Sequence, residues 1–140
     1  MVRHVIFRMD KERYALPLAA IREVFLSPNV WARVPSAPPA IRGIINLRGR
    51  VVTVIDLQKL MGIQQSGAPS EKILLLDRGK RDLGLLVTEV EGIEPIEKVS
   101  SPPGRPTLGI KGVAKLKRSA ITVLEPDGID TAVASLFTSK

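Results

Sequence analysis

The sequence has no cysteine and a single histidine, His4. The first absence excludes a disulfide framework, a thiolate nucleophile and every zinc site that needs cysteine. The second leaves no histidine pair for a metal site or a catalytic dyad, so no metal and no cofactor are expected. Aromatic residues are scarce: Phe7, Tyr14, Phe25, Trp31 and Phe137 are the full set, too few and too scattered to stack a series of bases. No apolar run approaches the roughly 20 residues of a membrane helix. The short apolar start, residues 1–7, lacks the small-residue cleavage site of a secretory leader. A cytoplasmic protein without direct membrane insertion is the expectation. Acidic residues are also in deficit, 14 against 21 lysines and arginines, which leaves a net charge of +7 over 140 residues.

What is present is an ordinary globular composition, 44% hydrophobic and 25% charged, which excludes disorder. The length suits one domain. No catalytic constellation assembles, and no enzyme is expected. His4 sits in an alternating apolar run, and no serine lies in a G-x-S-x-G setting. Arg48-Gly49-Arg50 lacks the glycine-rich run and the Lys-Ser/Thr of a phosphate loop. Asp56 and Asp77 could form a carboxylate pair, but Asp56 is explained more simply as a helix cap.

The chain repeats itself. The stretch from Ile41 to Asp56 aligns without a gap on the stretch from Ile110 to Glu125, an offset of 69 residues. Ile41, Gly43, Leu47, Thr53 and Val54 recur as Ile110, Gly112, Leu116, Thr122 and Val123. Arg42, Arg48 and Asp56 recur with their charge sign in Lys111, Lys117 and Glu125. Upstream, Leu16/Leu85, Leu18/Val87, Ile21/Val90 and Val24/Ile93 match at the same offset. The expectation is a tandem duplication, with about 1–66 as the first sub-barrel half and about 70–136 as the second, joined through residues 64–70. Halves of that size make marginal cores alone and should share apolar residues.

Local patterns place the elements. Runs 4–9 and 13–18 read as a hairpin around Asp10-Lys11-Glu12. Residues 18–25 carry Leu18, Ile21 and Val24 or Phe25 at helical spacing and predict one or two helical turns. Three prolines make 34–39 a stiff, extended connection. Two β-branched runs flank Leu47-Arg48-Gly49-Arg50, where glycine permits a tight turn. Asp56 as N-cap and Gly62 as stop predict a single helical turn. Strands are expected at 73–77 and 83–90 around a turn at 78–81, a second rigid connection at 101–106, and a short helix at 130–138. Many short strands with regular turns indicate an all-β barrel architecture.

The segment Gly43-Ile44-Ile45-Asn46-Leu47-Arg48-Gly49-Arg50-Val51-Val52-Thr53-Val54-Ile55-Asp56-Leu57 resembles the CheW-like domain family, which includes the bacterial chemotaxis coupling protein and the regulatory domain of its histidine kinase. Glu12-Arg13-Tyr14-Ala15-Leu16-Pro17-Leu18, Ile21-Arg22-Glu23-Val24, Leu83-Gly84-Leu85-Leu86-Val87-Thr88-Glu89-Val90 and Ile110-Lys111-Gly112-Val113-Ala114 extend the likeness over nearly the whole of 1–140. It implies two five-stranded SH3-like β sub-barrels sharing a hydrophobic core, with short helical segments. It implies an adaptor that couples the cytoplasmic tip of a chemoreceptor, the methyl-accepting chemotaxis protein, to the regulatory domain of a CheA-type histidine kinase in signalling arrays. By motif matching, Arg48 corresponds to the family's functional arginine, with Asn46 and Gly49 shaping its turn. Ile21, Glu23 and Val24 match a segment associated with partner contact, and Gly43 a glycine near the groove between the sub-barrels, where the receptor docks in the family.

The chain departs from the family pattern in its basic charge, in Lys117-Arg118 where the first repeat has Arg48-Gly49, and in Pro126 at the second helical turn. Pro126 is compatible with a helix only at its first position. These departures leave two alternatives: a paralogue that binds receptors without the kinase, and a basic small-barrel nucleic-acid binder, since residues 1–50 carry nine basic and three acidic side chains.

Overall fold

A computed structural model describes residues 2–29, 31–63, 69–78, 81–100, 109–116 and 119–138. Among the described residues ten strands occur in the order β1 (Val2–Met9), β2 (Glu12–Pro17), β3 (Ile21–Leu26), β4 (Ile41–Leu47), β5 (Arg50–Asp56), β6 (Lys72–Arg78), β7 (Arg81–Val87), β8 (Glu89–Ile96), β9 (Ile110–Leu116) and β10 (Ser119–Leu124). Helix α1 (Leu57–Leu60) follows β5, and α2 (Pro126–Thr138) follows β10. Two five-stranded sheets result, ordered β8-β1-β2-β10-β9 and β3-β6-β7-β5-β4, and each curls into an SH3-like sub-barrel.

The 69-residue offset relates the two sheets. It carries β1 through β5 onto β6 through β10, and it turns the strand order of the first sheet into that of the second. Backbone details follow it as well. The amide of Asp56 donates to the carbonyl of Ala40 at 2.7 Å, and that of Glu125 to Gly109 at 2.8 Å. The isolated bridges Ala32–Ile44 and Ser100–Val113 also correspond, with Ile44 and Val113 at the 69-residue offset and Ser100 one residue short of it from Ala32. The parallel pairings also correspond, β10 with β2 and β5 with β7. The boundary between repeats is not a boundary between barrels, however. Each sheet takes two strands from one repeat and three from the other, so the expected assignment of one half to each sub-barrel is corrected.

This interlocking explains the packing. Along β1, Val5, Phe7 and Met9 point to a central core shared with Leu74, Leu76, Leu83, Leu85 and Val87 of the other sheet. Ile6 points the other way, into a smaller core inside its own barrel with Ala15, Ile121 and Val123. In β6, Leu74 and Leu76 face the central core while Ile73 and Leu75 fill the second barrel. Four consecutive buried apolar residues in one strand are what two-sided burial requires. Alternate positions along one strand thus serve two cores.

Several local expectations are met by specific bonds. The expected β1–β2 hairpin forms, paired from His4 opposite Pro17 to Met9 opposite Glu12, but Glu12 already belongs to β2, so only Asp10 and Lys11 make the turn. Asp56 caps α1, accepting the amide of Lys59 at 3.3 Å. Gly62, at φ +71°, closes that turn: its amide donates to Lys59 and that of Ile63 to Gln58, the paired bonds of a Schellman end. Pro126 does occupy the first position of α2. That helix begins at Pro126, not at 130, because proline's fixed φ starts a helix readily; Ile129 and Val133 then pack into the central core.

Other expectations are corrected. Residues 18–25 are not two helical turns. Only Leu18–Ala20 forms a 3-10 turn, and Ile21 onward is β3, paired antiparallel with β6. Its residues alternate between half-buried and exposed, so a period of two wins over the apparent helical spacing. Strand β8 begins where the strand 83–90 was expected to continue. The connection 34–39 is not extended: it folds into two turns, with Ala37 donating to Val34 at 3.3 Å and Ile41 to Pro38 at 3.0 Å. Most of the linker 64–70, the middle of the turn 78–81, the connection 101–106 and Lys117-Arg118 lie outside the described residues.

Candidate functional site

The β4–β5 hairpin turns through only two residues, Arg48 at φ +51° and Gly49 at φ +84°. Positive φ at both positions is the two-residue turn whose twist matches that of the strands. Asn46 completes it by accepting the Gly49 amide on Oδ1 at 2.8 Å. The backbone therefore sends the Arg48 side chain outward, where it is 67% exposed.

Arg48 does not project alone. Its Nη1 donates to Glu23 Oε2 at 3.0 Å, and its Nη2 donates to Glu23 Oε1, a two-pronged pair joining the hairpin tip to the middle of β3. The paired hydrogen bond holds the Glu23 carboxyl below the usual carboxylate range. Burial opposes that shift, and the charges of Arg48 and Arg22 assist it.

Beside this pair a charge ladder crosses the sheet. Arg22 of β3 reaches Asp77 of β6 at 3.1 Å and Asp82 of β7 at 3.5 Å. Arg50 of β5 grips Asp82 with two bonds of 3.0 and 2.7 Å. Asp77 and Asp82 lie directly opposite each other, an arrangement that repels unless cations bridge it; the two arginines supply that bridge. Three arginines and three carboxylates thus form one rim of the second barrel. Nearby strands expose apolar side chains: Val24 and Leu26 on β3 and Val51 on β5. Exposed apolar side chains together with charged groups are the ingredients of a protein-binding surface.

Of the residues singled out in the sequence, Arg48, Asn46, Gly49 and Glu23 come together at this rim, and Val24 is exposed beside them. Ile21 is elsewhere, half-buried against the central core. Gly43 lies on β4 beneath another segment: a Cβ there would stand 2.8 Å from the carbonyl oxygen of Ala32 and 3.2 Å from the Trp31 ring. Its need is close backbone approach. Arg22, Arg50 and Asp82 carry no local signal that singles them out, and Asp77 stands out only as a possible partner of Asp56, although the two aspartates flank the β6–β7 turn and the arginines lie next to Glu23 and Gly49. Asp56 and Asp77 do not pair as a carboxylate dyad; one caps α1 and the other binds Arg22.

Among the described residues, no helix is long and apolar enough to cross a membrane, and no cluster of three metal-ligating side chains occurs.

A sequence profile of the CheW-like domain matches residues 3–133. A protein named probable chemotaxis protein CheW from Rhizobium etli is 24% identical over 137 residues, covering 89% of this chain and 84% of that protein. The chemotaxis protein CheW of Thermotoga maritima is 28% identical over 130 residues, covering 88% and 83%. Among solved structures, the scaffolding protein TtCheW from Thermoanaerobacter tengcongensis superposes with a TM-score of 0.80 at 30% identity, covering 89% of this chain and 88% of that one.

Proposed function

Because this chain belongs to the CheW-like domain family, we propose that it is a non-enzymatic chemosensory adaptor that couples methyl-accepting chemoreceptors to a CheA-type histidine kinase. In this reading residues 1–140 act as one CheW-like domain with repeats at about 1–66 and 70–136, working in the cytoplasm at receptor arrays.

The observation that carries the proposal is the rim of the second barrel. Arg48 is fixed by its turn and by Glu23, yet two thirds of its side chain remains open to a partner. Val24, Leu26 and Val51 on the same barrel add exposed apolar area. An adaptor must hold two proteins at once, and a molecule with two sub-barrels has two separate ends on which to do so. In this assignment Arg48, Glu23 and Val24 contact partners directly. Asn46 and Gly49 set the turn. Gly43 and Ile21 act through the backbone and the core.

The rival nucleic-acid reading finds less support. Among the described residues Arg8, Arg13, Arg22, Arg48, Arg50 and Lys72 are already paired with carboxylates, and paired cations release few counterions from phosphates.

Co-sedimentation with a receptor signalling fragment and the kinase tests the proposal. The expected result is a ternary complex at roughly tens of micromolar protein. Absence of binding to either partner at that concentration overturns the coupling function. Binding to the receptor alone would identify an adaptor that has lost the kinase.

A further inference from the structure

Three basic side chains that have no ion pair among the described residues meet around one cavity. Arg33, Arg42 and Lys59 line a hollow of about 710 Å³ between the β3–β4 connection, the start of β4 and helix α1. Asp56 is also in its wall, but its Oδ1 accepts the Lys59 amide as the helix cap. Three cations and one carboxylate leave the cavity with an excess of positive charge. Arg42 is braced, its guanidinium 4.2 Å from the centroid of the Trp31 ring, a cation–π contact that restrains the side chain without neutralising it.

The wall decides which anion suits the cavity. Phosphate sites characteristically offer backbone N–H groups. Here Pro35, Pro38 and Pro39 have none to offer, and the amides of Ala37 and Ile41 are already bonded to Val34 and Pro38 within the loop. With most of the wall's amides absent or bonded, recognition comes chiefly from side-chain charge, with proline rings, Val34 and Ile41 providing apolar contact. Guanidinium forks grip carboxylates and phosphates alike, two bonds at a time, so it is the scarcity of free amides that favours a carboxylate here. The feature also belongs to one repeat only: Lys111 stands at the position of Arg42, but Gly128 replaces Lys59, and Ser101 or Pro102 stands where Arg33 would be.

We propose that this cavity docks an acidic peptide segment of a partner protein, with two carboxylates against Arg33, Arg42 and Lys59 and an apolar side chain against the proline wall. The site is distinct from the Arg48–Glu23 rim and does not depend on which partner that rim recognises.

Fluorescence anisotropy with a fluorescein-labelled hexapeptide of alternating glutamate and leucine tests it, using the full chain. The peptide should bind, weaken as salt rises from about 50 to about 200 mM, and lose at least about tenfold in affinity for the Arg33→Gln/Lys59→Gln protein. The Lys111→Gln/Lys115→Gln protein removes the same charge from another exposed strand and should bind within about twofold of the parent. All three proteins should melt alike, since the altered side chains are exposed. Three outcomes overturn the proposal: no binding at about 1 mM peptide, equal loss in both double variants, or pyrophosphate binding more tightly than the peptide, which would make the cavity a phosphate site.

Discussion

Arg48 and Glu23, 25 residues apart in sequence, are joined by two hydrogen bonds that tie the tip of the β4–β5 hairpin to the centre of strand β3. Neither strand pairs with the other in the sheet, where they are the two edges. The ion pair therefore spans the open side of the second barrel and defines the shape of its rim. Both partners are exposed enough to be read by another protein, so the pair serves recognition more than stability.

Replacing Arg48 by alanine should abolish or strongly reduce co-sedimentation with receptor and kinase while leaving the melting temperature nearly unchanged. Glu23→Ala should give the same phenotype more weakly, because it frees Arg48 without removing it. Parallel loss of melting temperature and binding would show that the pair is structural.

Acid titration offers a direct reading of the pair. The Arg48 hydrogen bond lowers the Glu23 carboxyl, and the Lys72 hydrogen bond, aided by the Val90 amide, lowers that of Glu89. A carboxylate whose folded pKa is depressed stabilises the fold above its unfolded value, about 4.3 for glutamate. That contribution is lost as pH falls through the lower, folded value. Carbon-detected NMR should show the Glu23 midpoint rising in Arg48→Ala, with Glu89 unmoved. A Glu23 midpoint that stays in place would mean Arg48 does not hold it in solution.

Gly43→Ala should behave in the opposite way to Arg48→Ala. Its Cβ would press on the Ala32 carbonyl at 2.8 Å and the Trp31 ring at 3.2 Å, so stability should fall by about 1–3 kcal/mol. Denaturant unfolding measures this, and any loss of partner binding should track the loss of fold.

The equivalent interior positions of the two barrels, Ala15 and Gly84, both carry small residues. A Cβ on Gly84 would stand 2.8 Å from Cγ2 of Ile73, which is fully buried. Gly84→Ala should cost about 1–3 kcal/mol by overpacking, and the Gly84→Ala/Ile73→Ala double variant, which removes that Cγ2 methyl, should lose less than the sum of the two single variants. Additive losses in a double-mutant cycle would show that these two side chains do not compete for the same space.

The interlocked sheets make a further expectation. Fragments 1–66 and 70–136 should each be unfolded or aggregated alone, because neither contains all five strands of either sheet. Mixed and refolded together, they should recover the β-sheet circular dichroism of the intact chain as a one-to-one complex. Independent folding of either fragment would contradict the strand order.

Features that rest on neighbouring residues were legible in the sequence. The tight turn at Arg48 and Gly49, the Asp56 cap and the Gly62 stop each depend on bonds within a few positions, and their residue types name them. The offset of 69 residues was legible too, because equivalent strands face equivalent cores and keep their apolar pattern. Strand β3 was misread because Leu18, Ile21 and Val24 or Phe25 fit a helical period as well as an alternating one. What settled it was pairing with β6, whose partner for Ile21 is Leu76, 55 residues onward. No local signal carries that choice.

A duplicated, cysteine-free all-β chain, its main turns and the Asn-Leu-Arg-Gly hairpin of its family can be read from residue pattern alone. That each barrel is shared between the repeats, that Glu23 holds Arg48, and that Arg33, Arg42 and Lys59 line one cavity emerges only on folding. One cause underlies all three. Turns and caps are satisfied by local hydrogen bonds, whereas strand order and side-chain pairing between distant strands follow from how two cores and the interior between them are filled together.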